Sequence, residues 1–273
     1  MSTTATALEI DGLKERLKST WMAGDYDRFS RSMEQDARAF YERLNICPGS
    51  QLLDVACGSG QLALWAARDG LDVMGVDISP NAILRARARA KAEGLRARFW
   101  EADAEALPFD DATFDIVVSL IGAMFAPRPD RVAHELLRVC APGGTIAMAN
   151  WTAEGFVGQM FKTFAKFIAP TGMLSPVLWG DKDVVRQRLG HGVSDLTMQY
   201  RQYTLTYPFP PADVVEFFRE YYGPTNRAFA ALDEHAGKEL RQELEYLWSS
   251  NNLAGSDITV VPAEYLEVIA IRS

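Results

Sequence analysis

Histidine and cysteine are scarce, with three of each in 273 residues. His134, His191 and His235 are widely separated, and no Ser/His/Asp order stands out among them. Neither do they share metal-ligand spacing with Cys47, Cys57 and Cys140, so hydrolase and metal-dependent chemistries are disfavoured and no metal site is expected. An odd cysteine count without a C-x-x-C pair also argues against a disulfide framework, and the three read as small buried hydrophobes. Long apolar runs are missing too. Nothing approaches the ~18 residues that suggest a membrane span. The opening Met1-Ser2-Thr3-Thr4-Ala5 has neither the basic nor the apolar region of a signal peptide, so the expected location is the cytoplasm. Positive charge is in deficit: 28 Lys and Arg face 36 Asp and Glu, a formal net charge of -8 that gives no electrostatic reason to bind nucleic acid. The local cluster of Arg85, Arg87, Arg89 and Lys91 is interleaved with alanines at helical spacing and reads as a solvated helix face.

What is present is enough apolar material, 48% of residues, to bury a sizeable core. Leu13, Leu17 and Trp21, then Phe29, Met33, Ala37, Phe40 and Leu44, recur at three- and four-residue steps and predict two helices, with Gly24 breaking them and Asp25 placed to cap the second. Pro48-Gly49 turns into a first strand. Strands and helices then alternate. Strands are expected over 52–55, 71–77, 96–100, 114–119 and 145–150, with helices over 62–68, 80–94 and 129–139 and a Pro142-Gly143-Gly144 turn before the fifth strand. Such alternation predicts a doubly wound parallel sheet with right-handed crossovers. Beyond Trp151 the chain changes character, becoming aromatic and punctuated by Gly and Pro up to Leu189. Two long strands, 196–207 and 258–271, flank further helices and are expected to pair antiparallel at one edge of the sheet.

The most informative stretch is Leu52-Leu53-Asp54-Val55-Ala56-Cys57-Gly58-Ser59-Gly60, a buried apolar run ending in a glycine turn that opens the helix Gln61-Leu62-Ala63-Leu64-Trp65. Glycines there permit positive φ and close ligand approach, and the following helix start offers unpaired N–H groups. Ligands of open α/β sheets lie at the carboxyl ends of the strands. Asp77 ends the second strand about twenty residues beyond the loop, where an acid accepts ribose hydroxyls. Asp103, after the third strand, is placed to reach an adenine amino group, and Ser119-Leu120 ends the fourth. Gly58-x-Gly60-x-x-Ala63 also satisfies a loose dinucleotide fingerprint, but Asp54 beside the glycines suits a ligand carrying positive charge, such as a sulfonium.

These residues resemble a family. Leu53-Asp54-Val55-Ala56-Cys57-Gly58-Ser59-Gly60, Gly75-Val76-Asp77-Ile78-Ser79, Asp103-Ala104-Glu105-Ala106-Leu107-Pro108-Phe109, Phe114-Asp115 and Arg138-Val139-x-x-Pro142-Gly143-Gly144 are similar to the ordered motifs of class I S-adenosylmethionine-dependent methyltransferases, nearest to the ubiquinone/menaquinone type of the small-molecule branch. The resemblance implies an α/β fold with a Rossmann-like, doubly wound, mostly parallel sheet of about seven strands, an antiparallel edge, N-terminal helices and a helical, aromatic lid insert. Its divisions are an N-terminal cover over 1–45, a cofactor-binding core over 46–150, and lid insertions with the last two strands over 151–273. It implies a cofactor site of Tyr26, Phe29, Asp54, Ala56, Cys57, Gly58, Gly60, Asp77, Ile78, Asp103, Ala104, Glu105, Ser119 and Leu120. Gly58 and Gly60 approach the methionine part, Asp77 the ribose, and Asp103 with Ala104 the adenine, while Tyr26 and Phe29 help cover the cofactor.

Methyl transfer from a sulfonium is an in-line displacement that needs alignment and exclusion of water more than a dedicated base. Trp21, Tyr26, Phe125 and Trp151 are candidates for cation–π contact with the sulfonium, and His191, in the insert, is the candidate base. Trp151, Phe156, Trp179, Tyr221 and Tyr222 are expected to wall a pocket for a small hydrophobic or aromatic acceptor. After the fourth strand the chain reads Ser119-Leu120-Ile121-Gly122, without the Asn/Asp-Pro-Pro-aromatic run of nucleic-acid amino-methylating enzymes. Two other readings stay open on the residues: a nicotinamide-dependent oxidoreductase, and a nucleoside-binding protein without catalysis.

Overall fold

The computed structural model describes residues 7–169 and 172–273; the signal-peptide reading of residues 1–5 lies outside them. Five parallel strands, β1 (Gln51–Val55), β2 (Asp72–Asp77), β3 (Ala97–Glu101), β4 (Phe114–Leu120) and β5 (Cys140–Trp151), are followed by β6 (Val193–Tyr207) and β7 (Thr259–Arg272). Their order is β3-β2-β1-β4-β5-β7-β6, and β7 runs antiparallel to both neighbours. The chain therefore reverses its direction of travel between β1 and β4, the place where an open sheet leaves a crevice at its carboxyl edge. Central strands are rich in apolar residues because helices cover both faces: Leu52, Leu53, Val55, Val117 and Val118 are fully buried.

Helices α1 (Ala7–Trp21), α2 (Tyr26–Ser30) and α3 (Glu34–Arg43) precede β1. Asp25 caps α2 by accepting the Arg28 N–H at 3.2 Å. The expected single second helix is broken by a 3-10 turn over Arg31–Met33, where the Tyr203 hydroxyl donates to the Met33 carbonyl at 2.6 Å. Helices α4 (Gln61–Arg68), α5 (Pro80–Ala92) and α6 (Pro129–Val139) form the crossovers. Ser79 caps α5 ahead of Pro80 at its first turn. The Pro142-Gly143-Gly144 turn is absorbed into β5 as an irregularity, with Gly143 at φ 77° and a register shift opposite Phe114 and Ile116.

Beyond β5 come α7 (Phe156–Phe164), a 3-10 turn over Pro176–Gly180 and α8 (Lys182–Leu189), and between β6 and β7 lie α9 (Pro211–Tyr221), α10 (Gly223–Ala230) and α11 (Glu234–Asn251). Two expectations about single residues need correction. Cys47 is exposed, unlike Cys57 and Cys140. The basic face of α5 is not wholly solvated either: Arg87 donates to the Phe99 carbonyl, and Arg89 pairs with Glu34 at 2.5 Å, tying α5 to the N-terminal helices.

Candidate active site

Strained backbone marks the crevice. The loop from β1 to α4 carries positive φ at Ala56 (59°), Gly58 (55°) and Gly60 (85°), and Ile121 just after β4 stands at 67°. A β-branched residue there costs on the order of 1–3 kcal/mol and persists only where its surroundings impose it. They do so here through three hydrogen bonds. The Ile121 N–H donates to the Ala149 carbonyl at 2.9 Å, while the Ser119 hydroxyl donates to the Val55 carbonyl at 2.8 Å and accepts the Ala123 N–H at 3.0 Å. Gly122 then passes Ala56 so closely that a Cβ would lie 2.5 Å from its carbonyl oxygen. The two strand ends are thus stitched together on either side of the switch point.

Three carboxylates converge on the cleft. Asp54, 2% exposed, accepts the Ala63 N–H at 3.2 Å, and burial pushes its pKa up to about 7, with the Asp77 charge adding to the rise. Through that bond Asp54 already caps the start of α4, the helix end on which a dinucleotide pyrophosphate would have to sit. Asp77 accepts the Gly58 N–H at 2.9 Å and the Ser79 N–H at 2.8 Å; burial raises its pKa, and these N–H groups counter part of the rise. Asp103 accepts the Glu105 N–H at 2.9 Å and an ion pair from Lys14 of α1. Burial disfavours the Lys14 ammonium, yet the hydrogen bonds to Asp103 and Glu105 outweigh it and raise its pKa.

Above this acidic floor lies an apolar roof. Leu17 and Trp21 of α1, Tyr26 of α2, and Phe125, Ala126 and Pro127 after β4 line the cleft. Trp21 meets Phe125 edge-on at 5.0 Å and Tyr26 at 5.6 Å, joining the roof across the opening. Gln61 anchors that roof to the glycine loop by donating to the hydroxyls of Ser30 and Ser59. The loop bearing Asp103 is held from below by Arg138, whose guanidinium reaches the carbonyls of Leu107 and Phe109 and the carboxylates of Asp111 and Glu135.

A methyltransferase-domain family model matches residues 53–148, the segment that contains β1 to β5 almost entirely. An uncharacterized protein of Mycobacterium tuberculosis is 38% identical over 240 residues, covering 86% of this chain and 87% of that protein. Methyltransferase GfsG of Streptomyces halstedii is 38% identical over 132 residues, 47% of this chain and 48% of its own. The chain belongs to the class I S-adenosylmethionine-dependent methyltransferases. Its fold matches the solved phosphoethanolamine N-methyltransferase 2 of Haemonchus contortus, a complex with S-adenosylhomocysteine, at a TM-score of 0.57 and 20% identity over 87% of this chain and 52% of that one.

The cleft of this methyltransferase has features that fit the family's cofactor. Asp77 and Asp103 keep acceptor lone pairs beyond those already engaged. A Cβ at Gly58 would fall 3.2 Å from the Gln61 side chain and 3.4 Å from the Tyr26 ring, so glycine keeps that stretch of wall clear. Of the residues expected to bind the cofactor, Tyr26, Asp54, Ala56, Cys57, Gly58, Asp77, Ile78, Asp103, Ala104 and Leu120 line the cleft. Four do not. Phe29 is buried behind Tyr26, stacked on Tyr222 at 4.7 Å. Gly60 faces Leu64 and Phe99 in the core. Ser119 spends its hydroxyl on Val55 and Ala123, and the Glu105 carboxylate is taken by Arg128 at 2.7 Å and Lys14 at 2.7 Å.

The expected acceptor wall is not part of this cleft. Trp151 packs between Tyr203 and Tyr265, Phe156 lies 4.4 Å from Trp248, and Trp179 is fully buried under the Arg188 guanidinium. Tyr222 sits behind Trp21 and Tyr26, and Tyr221 lies outside, under Arg28. Of the aromatics expected near a sulfonium, Trp21, Tyr26 and Phe125 line the cleft and Trp151 does not. His191 is exposed beside the start of β6, which pairs with the end of β7 at the amino edge of the parallel strands, so the geometry separates it from the carboxyl-edge cleft. Sequence reasoning missed Lys14, Leu17 and Gln61, and no local motif flags them.

Proposed function

We propose that this methyltransferase acts on a small hydrophobic or aromatic acceptor, which enters the cleft beneath Trp21 and Phe125. The observation that carries the reading is the pairing of an acidic floor, Asp54, Asp77 and Asp103, with an apolar roof of Leu17, Trp21, Ile121, Phe125, Ala126 and Pro127. Bound S-adenosylmethionine supplies a methyl group already activated by its sulfonium. Asp77 accepts the ribose hydroxyls, Asp103 accepts from the adenine amino group beside Ile78 and Ala104, and Ala56, Gly58 and Tyr26 border the methionine end. Asp54 complements the positive sulfur end electrostatically, and the aromatic rings of the roof add cation–π stabilisation while excluding water. The buried cap that Asp54 places on α4 disfavours the nicotinamide alternative.

The test is incubation with the labelled cofactor and a panel of aromatic and aliphatic metabolites, with product identified by mass spectrometry. A methylated apolar acceptor is expected, with a KM that rises in Phe125→Ala while S-adenosylhomocysteine affinity stays near wild type. Exclusive methylation of highly charged acceptors would overturn the acceptor class. Binding of NADH with no binding of S-adenosylhomocysteine would overturn the whole reading.

A further inference from the structure

We infer that Lys14 is a positioning residue of the methyl-donor site: its ammonium fixes the Asp103 carboxylate and thereby latches α1 over the adjoining half of the cleft. This rests on the methyl-donor reading above, and it names a residue outside every motif that supported that reading.

The two ends of α1 are held by different physics. At its C-terminal end backbone meets backbone: a Cβ on Gly223 would lie 2.0 Å from the Thr20 carbonyl oxygen, and one on Gly24 would lie 2.6 Å from that of Tyr221. The Asp25 N–H donates to Tyr221, and Arg227 reaches the Ser19 hydroxyl at 2.8 Å. No sliding is possible there without separating main chains. Towards its other end α1 offers little apolar anchorage. Leu8 is 85% exposed, Asp11, Glu15 and Arg16 face solvent, and Leu13 is the buried apolar side chain. Ion pairs draw the middle and the last turn of α1 down, Lys14 to Asp103 and Glu105, and Lys18 to Glu101. Lys14, midway along α1, lies about one helical turn further from the clamped end than Lys18.

Lys14 and Lys18 are not equivalent. The Lys18–Glu101 pair is more exposed, with the Glu101 side chain 47% accessible, so solvent and salt weaken it. The Lys14 side chain is 16% exposed and bridges two carboxylates two residues apart, one of them, Glu105, wholly buried and shared with Arg128. With the Glu105 N–H on one oxygen and Lys14 on the other, Asp103 is held in one orientation, and its remaining lone pairs are left for a ligand's amino group. Closing α1 and presenting Asp103 are therefore one event.

Calorimetric titration with S-adenosylhomocysteine at low and high NaCl tests this. The wild type should bind more weakly as salt rises. Lys14→Met should bind about tenfold more weakly at low salt, a charged hydrogen bond discounted for partial exposure, with most of the salt response gone. Lys14→Arg should restore both. In an Asp103→Asn background Lys14→Met should cost almost nothing more, whereas Lys18→Met should cost the same in both backgrounds. Wild-type affinity and salt response in Lys14→Met, or an equal loss in both backgrounds, overturns the inference. If the wild type binds no S-adenosylhomocysteine, the methyl-donor reading falls instead. The latch is then judged by hydrogen exchange of the ligand-free protein, where Lys14→Met should speed exchange across residues 10–18, and unchanged exchange overturns it.

Discussion

Replacing Asp54 with asparagine separates the electrostatic reading of the cleft floor from a merely structural one. Asp54 is buried, and its pKa stands at about 7 against 3.8 for the free side chain. Burial favours the neutral acid, so between those values the folded protein keeps a proton that the unfolded chain has lost. The stability contributed by that proton is fully present below pH 3.8 and is lost as the pH rises through 7. At about 1.4 kcal/mol per unit, the wild type should lose roughly 3 kcal/mol more than Asp54→Asn between pH 5 and pH 8. Asparagine can still accept the Ala63 N–H, so the cap on α4 survives the substitution.

Urea unfolding of both proteins at the two pH values reads this difference directly. A stability gap that widens in favour of Asp54→Asn as pH rises supports the assignment; a gap that stays constant refutes it, because it would mean that Asp54 titrates like an exposed carboxylate. The same ionisation bears on the ligand. A sulfonium favours the Asp54 carboxylate and the neutral thioether of S-adenosylhomocysteine does not, so the preference for the charged ligand should grow through pH 7, by about tenfold for each unit by which the sulfonium lowers the pKa. Asp54→Asn should show no such growth.

Other substitutions probe the rest of the site. Asp77→Ala should weaken S-adenosylhomocysteine binding by more than about a hundredfold in calorimetry, since two charge-assisted hydrogen bonds are lost; the Gly58 and Ser79 N–H groups also lose their acceptor, so unfolding should be measured alongside. Gly122→Ala sets a methyl 2.5 Å from the Ala56 Cβ and carbonyl oxygen, neither of which can yield, and should lower thermal stability by at least about 2 kcal/mol. Arg138→Met strands the buried Glu135 carboxylate and the carbonyls of Leu107 and Phe109, and should cost about 2–4 kcal/mol in urea unfolding.

The sheet was legible because each of its determinants is local. Strand ends coincide with Asp77 and with the glycine turn, caps sit at Asp25 and Ser79, and the strands are mainly apolar where both faces are covered. The floor of the site was legible for the same reason: in this topology a residue that ends a parallel strand near the switch point faces the crevice, so sequence position fixes spatial position. The misplacements fall where a side chain's direction matters as well as its address. Ser119 lies near the end of β4 and Glu105 in the loop after β3, but their polar atoms are consumed in holding Val55, Ala123, Arg128 and Lys14.

The roof shows the limit of such reading. Abundant aromatics in the insert suggested a pocket, yet burial against one another is what large rings do by default, and Phe156 with Trp248, and Trp151 with Tyr203, satisfy it in the core. Trp21 and Phe125 face the cleft for a different reason. Trp21 ends a helix whose last turn is clamped by Tyr221 and Gly223, and Phe125 follows the Ile121–Gly122 corner, strained at Ile121 and packed directly on Ala56. Both placements depend on contacts between segments far apart in the chain, as does that of Lys14. Residues proposed to hold the donor are thus encoded by strand position, whereas those proposed to select the acceptor and close over it are encoded by packing between distant segments. The donor site can therefore keep its motifs while the roof varies, and acceptor specificity should respond to substitutions at Leu17, Trp21 and Phe125 that leave S-adenosylhomocysteine affinity unchanged.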